Sequence, residues 1–85
     1  MNREDLMAEL ERLRAEAAQL EDTDAATREH VVELMDRLAH QLDNPDDEEH
    51  HETLVERTSE AIERFEVEHP RLTETLNRIM VALGV

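Results

Sequence analysis

A heptad repeat in the second half of the chain constrains the fold more than any other feature of the sequence. Two sets of positions recur every seven residues, offset by three, between about residues 51 and 83. The first set is Val55, Ile62, His69, Leu76 and Leu83, and the second is His51, Thr58, Phe65, Leu72 and Ile79. This alternation places its members in the a and d positions of a coiled coil, on one face of an α-helix. The second half of the chain is therefore predicted to be helical, with one long apolar seam.

Pro70 interrupts this seam. Proline inside a helix removes a backbone hydrogen bond and clashes with the preceding turn, at a cost of about 3 kcal/mol or more. It also disfavours helical geometry at His69. Two outcomes fit: one long helix that kinks at residues 66–70, or two helices that meet there, with Pro70 opening the second. We favour a break or a strong kink, and the preserved register predicts that both halves contribute to a related apolar surface.

The first half of the chain carries apolar spacing in two shorter segments. They predict helices over about residues 2–20 and 24–42. The first seam is Leu6, Leu10, Leu13, Ala17 and Leu20, and the second is Val31, Leu34, Leu38 and Leu42. Asp24 is the preferred N-cap of the second helix, with Asp22 as the alternative. A connection this short makes the two helices antiparallel neighbours.

The acidic stretch at residues 43–49 is predicted to end the second helix and begin the third. Asn44 can act as an N-cap, and Pro45 suits the first helical position. We expect the third helix over about residues 45–68 and the last over about 70–83, with Gly84 as its C-cap. The predicted fold is all-α and forms a single domain over residues 1–85. It consists of an antiparallel helical hairpin plus a long third helix broken or kinked near His69-Pro70, giving three to four helices with coiled-coil-like packing.

Composition limits the partners and the cellular setting. The formal net charge is −14, and all nine basic residues are arginine. Such a charge repels phosphates and anionic lipids, so we expect neither a nucleic-acid partner nor a membrane partner. The chain has no cysteine, no apolar run approaching the roughly 18 residues of a membrane span, and no signal-peptide pattern at its start. We expect a soluble, cytoplasmic protein.

The run FEVEHPRLT at residues 65–73 resembles the signature of the DUF 4404 family of small bacterial proteins, with its FE-x-x-HP pattern. Members are similar in length and share a leucine-rich first helix, an acidic middle and a short last helix ending near a glycine. Relatives often have serine before the histidine, where this chain has Glu68. The resemblance implies the fold but no activity.

Glu66 and His69 form the most specific candidate metal site. A Glu-x-x-His spacing puts both side chains on one face of a helix, as in di-iron bundles. The pairs Glu48–His51 and Asp36–His40 have related spacings. The competing interpretation is structural: His69 hydrogen-bonds at the helix break and, with Phe65, Pro70 and Leu72, fixes the junction, Phe65 being a core anchor. We favour this interpretation and expect no metal and no other cofactor.

Catalysis finds no support in the sequence. Ser59 is the only serine, and Gly84 is the only glycine, so no glycine-rich phosphate loop exists. We therefore expect a non-enzymatic protein that self-associates, as a homodimer, and acts through contacts with a protein partner. Two alternatives stay open: a metal-binding bundle that uses Glu66 and His69, and an acidic regulator that mimics DNA and occupies a basic partner.

Overall fold

The computed structural model describes residues 2–20 and 25–84, and within them the chain forms helices and no strand. The helices are α1 (Arg3–Ala18), α2 (Ala25–Asp43), α3 (Glu48–Phe65) and α4 (Pro70–Ala82). The predicted all-α fold is confirmed. The two predicted caps of the second helix, Asp24 and Asp22, lie outside the described residues.

The four helices form an antiparallel bundle. α1 packs against α2 and α4, and α3 packs against the same two helices. The connections at residues 44–47 and 66–69 are too short for anything but a reversal of direction. The backbone N–H of Asn2 donates to the carbonyl oxygen of Ala82 at 2.8 Å, which joins the start of α1 to the end of α4. The result is an up-down-up-down arrangement with a longest extent of 37 Å.

All four helices contribute to one hydrophobic core. The seams predicted for α1 and α2 face inward. The buried apolar residues are Leu6, Leu10, Leu13, Ala17, Val31, Leu34, Leu38, Leu42, Leu54, Ala61, Phe65, Leu72, Leu76, Ile79, Ala82 and Leu83. The apolar seam of the second half is therefore covered within one chain, because α3 and α4 fold back on each other and on the hairpin.

On α3, two of the predicted seam positions are replaced in the core by the residue that precedes each of them. Val55 and Ile62, predicted at seam positions, are only partly buried, whereas Leu54 and Ala61 are 0% exposed. Thr58 and Phe65 are buried as seam members. The heptad pattern assumes one facing helix, but α3 packs between α2 and α4. Its inward face is therefore rotated relative to the two-stranded seam, which leaves Val55 and Ile62 at the edge.

The start of α3 also differs from the prediction. α3 begins at Glu48 with Asp47 as its N-cap, not at Pro45 with Asn44 as the cap. The Asp47 carboxylate accepts a hydrogen bond from the backbone N–H of His50 at 3.1 Å. Asn44 instead closes the end of α2, where its backbone N–H and its side-chain amide both donate to the His40 carbonyl. An aspartate cap followed by acids in the first turn satisfies the helix start better than a cap three residues earlier.

The predicted break near His69-Pro70 is confirmed. α3 ends at Phe65 rather than at residue 68, and Pro70 is the first residue of α4. Gly84 follows α4 with φ 87°, a left-handed conformation in which glycine carries no Cβ penalty.

Ion pairs form between side chains on neighbouring turns of single helices. Arg37 Nε lies 3.2 Å from Glu33 Oε1, and Arg12 Nε lies 3.6 Å from Glu9 Oε2. Across the described ranges, no helix has the length and apolar character needed to cross a membrane.

Candidate functional site at the α3–α4 junction

Phe65 ends α3 and anchors the junction in the core. Its side chain is buried, and its ring meets two imidazoles edge to face. The centroid of the His30 ring, from α2, lies 5.3 Å away at an interplanar angle of 87°. The His69 ring lies 6.1 Å away at 81°. Edge-to-face aromatic pairs of this kind add to the energy of burial, so Phe65 ties α2, α3 and the start of α4 together.

His69 joins the two helices through its backbone. Its N–H donates to the carbonyl oxygen of Phe65 at 2.8 Å, and its carbonyl accepts from the backbone N–H of Thr73 at 3.0 Å. The Thr73 hydroxyl donates to the same carbonyl at 3.1 Å. His69 is the N-cap residue of α4, with φ −133° and ψ 66°. These backbone contacts place His69 between the two helices, and the proposed role of its side chain in fixing the junction stays a prediction.

Pro70 and Leu72 take the remaining junction positions. Pro70 is exposed at the first position of α4, where its missing N–H leaves no helical bond unmade. Leu72 is buried in the core. The first turn of α4 therefore has one outward and one inward residue of the predicted set.

A cleft lies beside this junction, where the end of α1 faces the start of α4. It has a volume of about 330 Å³. We call it the junction cleft, and the described residues that line it are Glu16, Gln19, Leu20, Glu68, His69, Pro70, Arg71 and Leu72. The Oε1 atom of Glu16 is buried and has no hydrogen-bond partner among the residues that the structure describes.

Glu66 and His69, the candidate metal ligands, do not lie within one helix. That prediction needs both residues on one helical face, but α3 ends at Phe65 and His69 has non-helical backbone angles. Glu66 is exposed, whereas His69 is partly buried against Phe65. Within residues 2–20 and 25–84, no three histidine or acidic side chains are grouped so as to hold a metal ion.

A cluster that sequence reasoning missed lies at the α2–α3 turn. His40 Nε2 lies 3.3 Å from Asp47 Oδ2, and the rings of His40 and His50 are 4.1 Å apart. His50 Nε2 lies 3.0 Å from the Arg37 carbonyl oxygen, to which it donates. The backbone N–H of His50, and then the hydrogen bond with His40, hold the pKa of Asp47 below its ordinary value. The sequence feature that could have revealed this cluster is the i, i+3 spacing of Asp47 and His50. An N-cap side chain accepts a hydrogen bond from the backbone N–H three residues later.

A second surface lies on the outer side of α3 and α4. It is an open groove of about 490 Å³. We call it the acidic groove, and its lining consists of Val55, Glu56, Ser59, Glu60, Glu63 and Met80. Val55 and Met80 are partly buried and apolar, and the three glutamates beside them are exposed. The groove therefore combines an apolar floor with a negatively charged rim.

The acidic rim continues along the whole of α3. Five exposed glutamates follow one another at intervals of three or four residues, which places them on one face of the helix. They are Glu49, Glu52, Glu56, Glu60 and Glu63. We call them the glutamate stripe.

Residues 6–85 match the family model described as a domain of unknown function, DUF4404. The chain belongs to the DUF4404 family. No curated protein and no solved structure matches it. The matched residues include those that line the junction cleft and the acidic groove, and they include at least part of each of the four helices. The resemblance stated from residues 65–73 is thereby confirmed at the level of the family.

Proposed function

We propose that this DUF4404 protein is a non-enzymatic interaction module that binds a basic, amphipathic segment of another protein in its acidic groove. The observation that carries this proposal is the combination of an apolar floor, Val55 and Met80, with a rim of exposed carboxylates. Amphipathic helices dock into grooves of this kind through their apolar face. The glutamate stripe selects a positively charged partner and speeds its encounter.

The net charge of −14 supports the same choice of partner. A basic segment gains from the charge of the whole protein, whereas an acidic one is repelled. A basic DNA-binding protein is a special case of this partner. In that case the glutamate stripe would take the place of DNA phosphates, and duplex DNA would compete for the partner.

The homodimer remains a separate prediction, but the uncovered seam that first suggested it no longer supports it. The seam that motivated it is covered within one chain by α1 and α2. Self-association must therefore use another surface, and two copies meeting at the acidic groove would bring their glutamate stripes together. Light scattering over a dilution series tests this prediction, and a monomer mass at micromolar concentration contradicts it.

A designed peptide tests the groove. The probe is a 20-residue amphipathic helix with lysine on one face and leucine on the other, and fluorescence anisotropy reports its binding. The groove variant is Glu56→Gln/Glu60→Gln/Glu63→Gln. At about 0.2–1 kcal/mol for each exposed charge pair, it should bind roughly threefold to a hundredfold more weakly.

The matched control carries the same charge change elsewhere. It is Glu11→Gln/Glu29→Gln/Asp36→Asn, at exposed positions on α1 and α2. We expect it to bind the lysine peptide much as the wild type does, and we expect no binding of the same peptide with glutamate in place of lysine. Equal losses in the two triple variants would show attraction to net charge alone and would contradict the proposal. If the groove variant alone loses binding, purification of the native complex from the source cell would identify the partner.

A further inference from the structure

The junction cleft is large enough to admit one side chain of a partner. Ligand pockets in proteins enclose about 300–1,000 Å³, and this cleft of about 330 Å³ lies at the lower end of that range. Its lining combines the apolar residues Leu20, Pro70 and Leu72 with the acidic residues Glu16 and Glu68. An occupant therefore needs an apolar stem and a polar head.

Glu16 indicates the charge of that head. Its Oε1 atom is buried, and no group in the described ranges hydrogen-bonds to it. Glu9, two turns earlier in α1, has a comparable buried oxygen, but that atom lies 3.6 Å from Arg12 Nε. A buried carboxylate oxygen without a partner destabilises the folded state, and such groups are rare in folded proteins. Glu16 thus has an unmet requirement for a hydrogen-bond donor, best met by a cation.

We propose that the junction cleft binds one arginine or lysine side chain of a protein partner, with the Glu16 carboxylate as its ligand. The methylene stem of such a side chain packs on Leu20, Pro70 and Leu72 while its charged head reaches the carboxylate. The start of α4 also lies here, and a helix N-terminus by itself favours an anion. The carboxylate of Glu16, with its buried Oε1 atom, disfavours an anion, since like charges repel at short range.

Arg71 provides a test of sign. It lines the cleft and is exposed, so its guanidinium adds a positive charge at the rim. A bound cation is repelled by Arg71 and attracted by Glu16. Neutralising these two residues must therefore change affinity in opposite directions. This site is separate from the acidic groove and shares no residue with it, so either can fail without the other.

The experiment is an NMR titration of the 15N-labelled protein with acetyl-arginine amide. The neutral control ligand is acetyl-citrulline amide, which has nearly the same shape. For the wild type we expect saturable shifts of the backbone amides of Gln19 and Leu72 with arginine and much smaller shifts with citrulline. We expect Glu16→Gln to weaken arginine binding at least tenfold and Arg71→Gln to strengthen it. Glu11→Gln, on the exposed side of α1, should leave the affinity unchanged.

A thermal melt accompanies the titration. Because Glu16→Gln removes the negative charge beside a buried oxygen that has no hydrogen-bond partner in the described ranges, we expect it to fold and to melt no lower than the wild type. Equal shifts with arginine and citrulline, or unchanged arginine affinity in a folded Glu16→Gln protein, would overturn the proposal. Arginine binding here alongside failure of the lysine peptide at the acidic groove would reject the proposed function and leave this site standing.

Discussion

The Nε2 atom of His51 lies 2.9 Å from the carbonyl oxygen of Leu83. These residues are the first and last members of the heptad repeat, 32 positions apart in the chain. They meet because the chain reverses at residues 66–69, so that α4 runs back along α3. The imidazole N–H satisfies a carbonyl at the end of α4 that has no partner within the helix. This hydrogen bond thus joins the start of α3 to the end of α4, the two ends that the reversal before Pro70 brings together.

Phe65→Ala tests the anchor of that reversal. The Phe65 ring is 5% exposed and contacts the rings of His30 and His69. Truncation leaves a cavity where α2, α3 and α4 meet, and we expect the free energy of unfolding to fall by about 3–5 kcal/mol. Urea denaturation followed by circular dichroism measures it. Val67→Ala is the control, because Val67 is 86% exposed two residues away. Similar losses in both variants would contradict the anchor role.

Thr75→Val should stabilise the protein. Thr75 and Thr58 are each 1% exposed, but their hydroxyl groups differ. Thr58 Oγ1 donates to the Leu54 carbonyl at 2.8 Å, whereas Thr75 Oγ1 has no hydrogen-bond partner in the described part of the chain. Replacing the Thr75 hydroxyl with a methyl group of similar size removes a desolvation cost of about 1–3 kcal/mol. Denaturant unfolding should show a higher midpoint for Thr75→Val and no such gain for Thr58→Val.

Apolar spacing and proline chemistry were sufficient to predict the helices and the break. Leu6, Leu10 and Leu13 lie on one face at any helix orientation, so their burial follows from periodicity. The edge position of Val55 did not follow, because the number of helices packed against α3 depends on where the chain reverses. The junction cleft could not be predicted from the sequence either, since Glu16 and Arg71 are 55 residues apart. A spacing rule relates residues within one helix, and this site lies between two.

Asp47 predicts how stability at the α2–α3 turn depends on pH. Its pKa in the folded protein is lowered from 3.8, chiefly by the backbone N–H of His50 and then by His40. A lowered folded pKa means that the carboxylate stabilises the fold above the unfolded value and that this contribution is lost as pH falls through the folded value. We expect Asp47→Asn to melt below the wild type at pH 7, with the difference fading below pH 3.8. Asp46→Asn, an exposed neighbour with the same charge change, serves as the control. A pH-independent difference would assign the effect to hydrogen bonding alone.

Pro70→Ala asks whether proline or the core causes the chain to reverse. Alanine restores a backbone N–H that has no helical acceptor at the first position of a helix. It also raises the conformational entropy of the unfolded chain, which lowers stability. The variant should therefore lose only about 0.4–1 kcal/mol, or roughly 2–8 °C in melting temperature.

We expect Pro70→Ala to keep the four-helix bundle, because Leu72, Leu76 and Ile79 lose their burial against the other helices if α4 continues straight from α3. A continuous helix over residues 48–82 would be about 50 Å long at 1.5 Å per residue, which exceeds the 37 Å longest extent of the bundle. Small-angle scattering distinguishes the two. A radius of gyration close to that of the wild type would show that burial reverses the chain and that Pro70 only shapes the turn. A marked increase, with a doubled mass, would show that Pro70 prevents an extended, partner-exchanged helix.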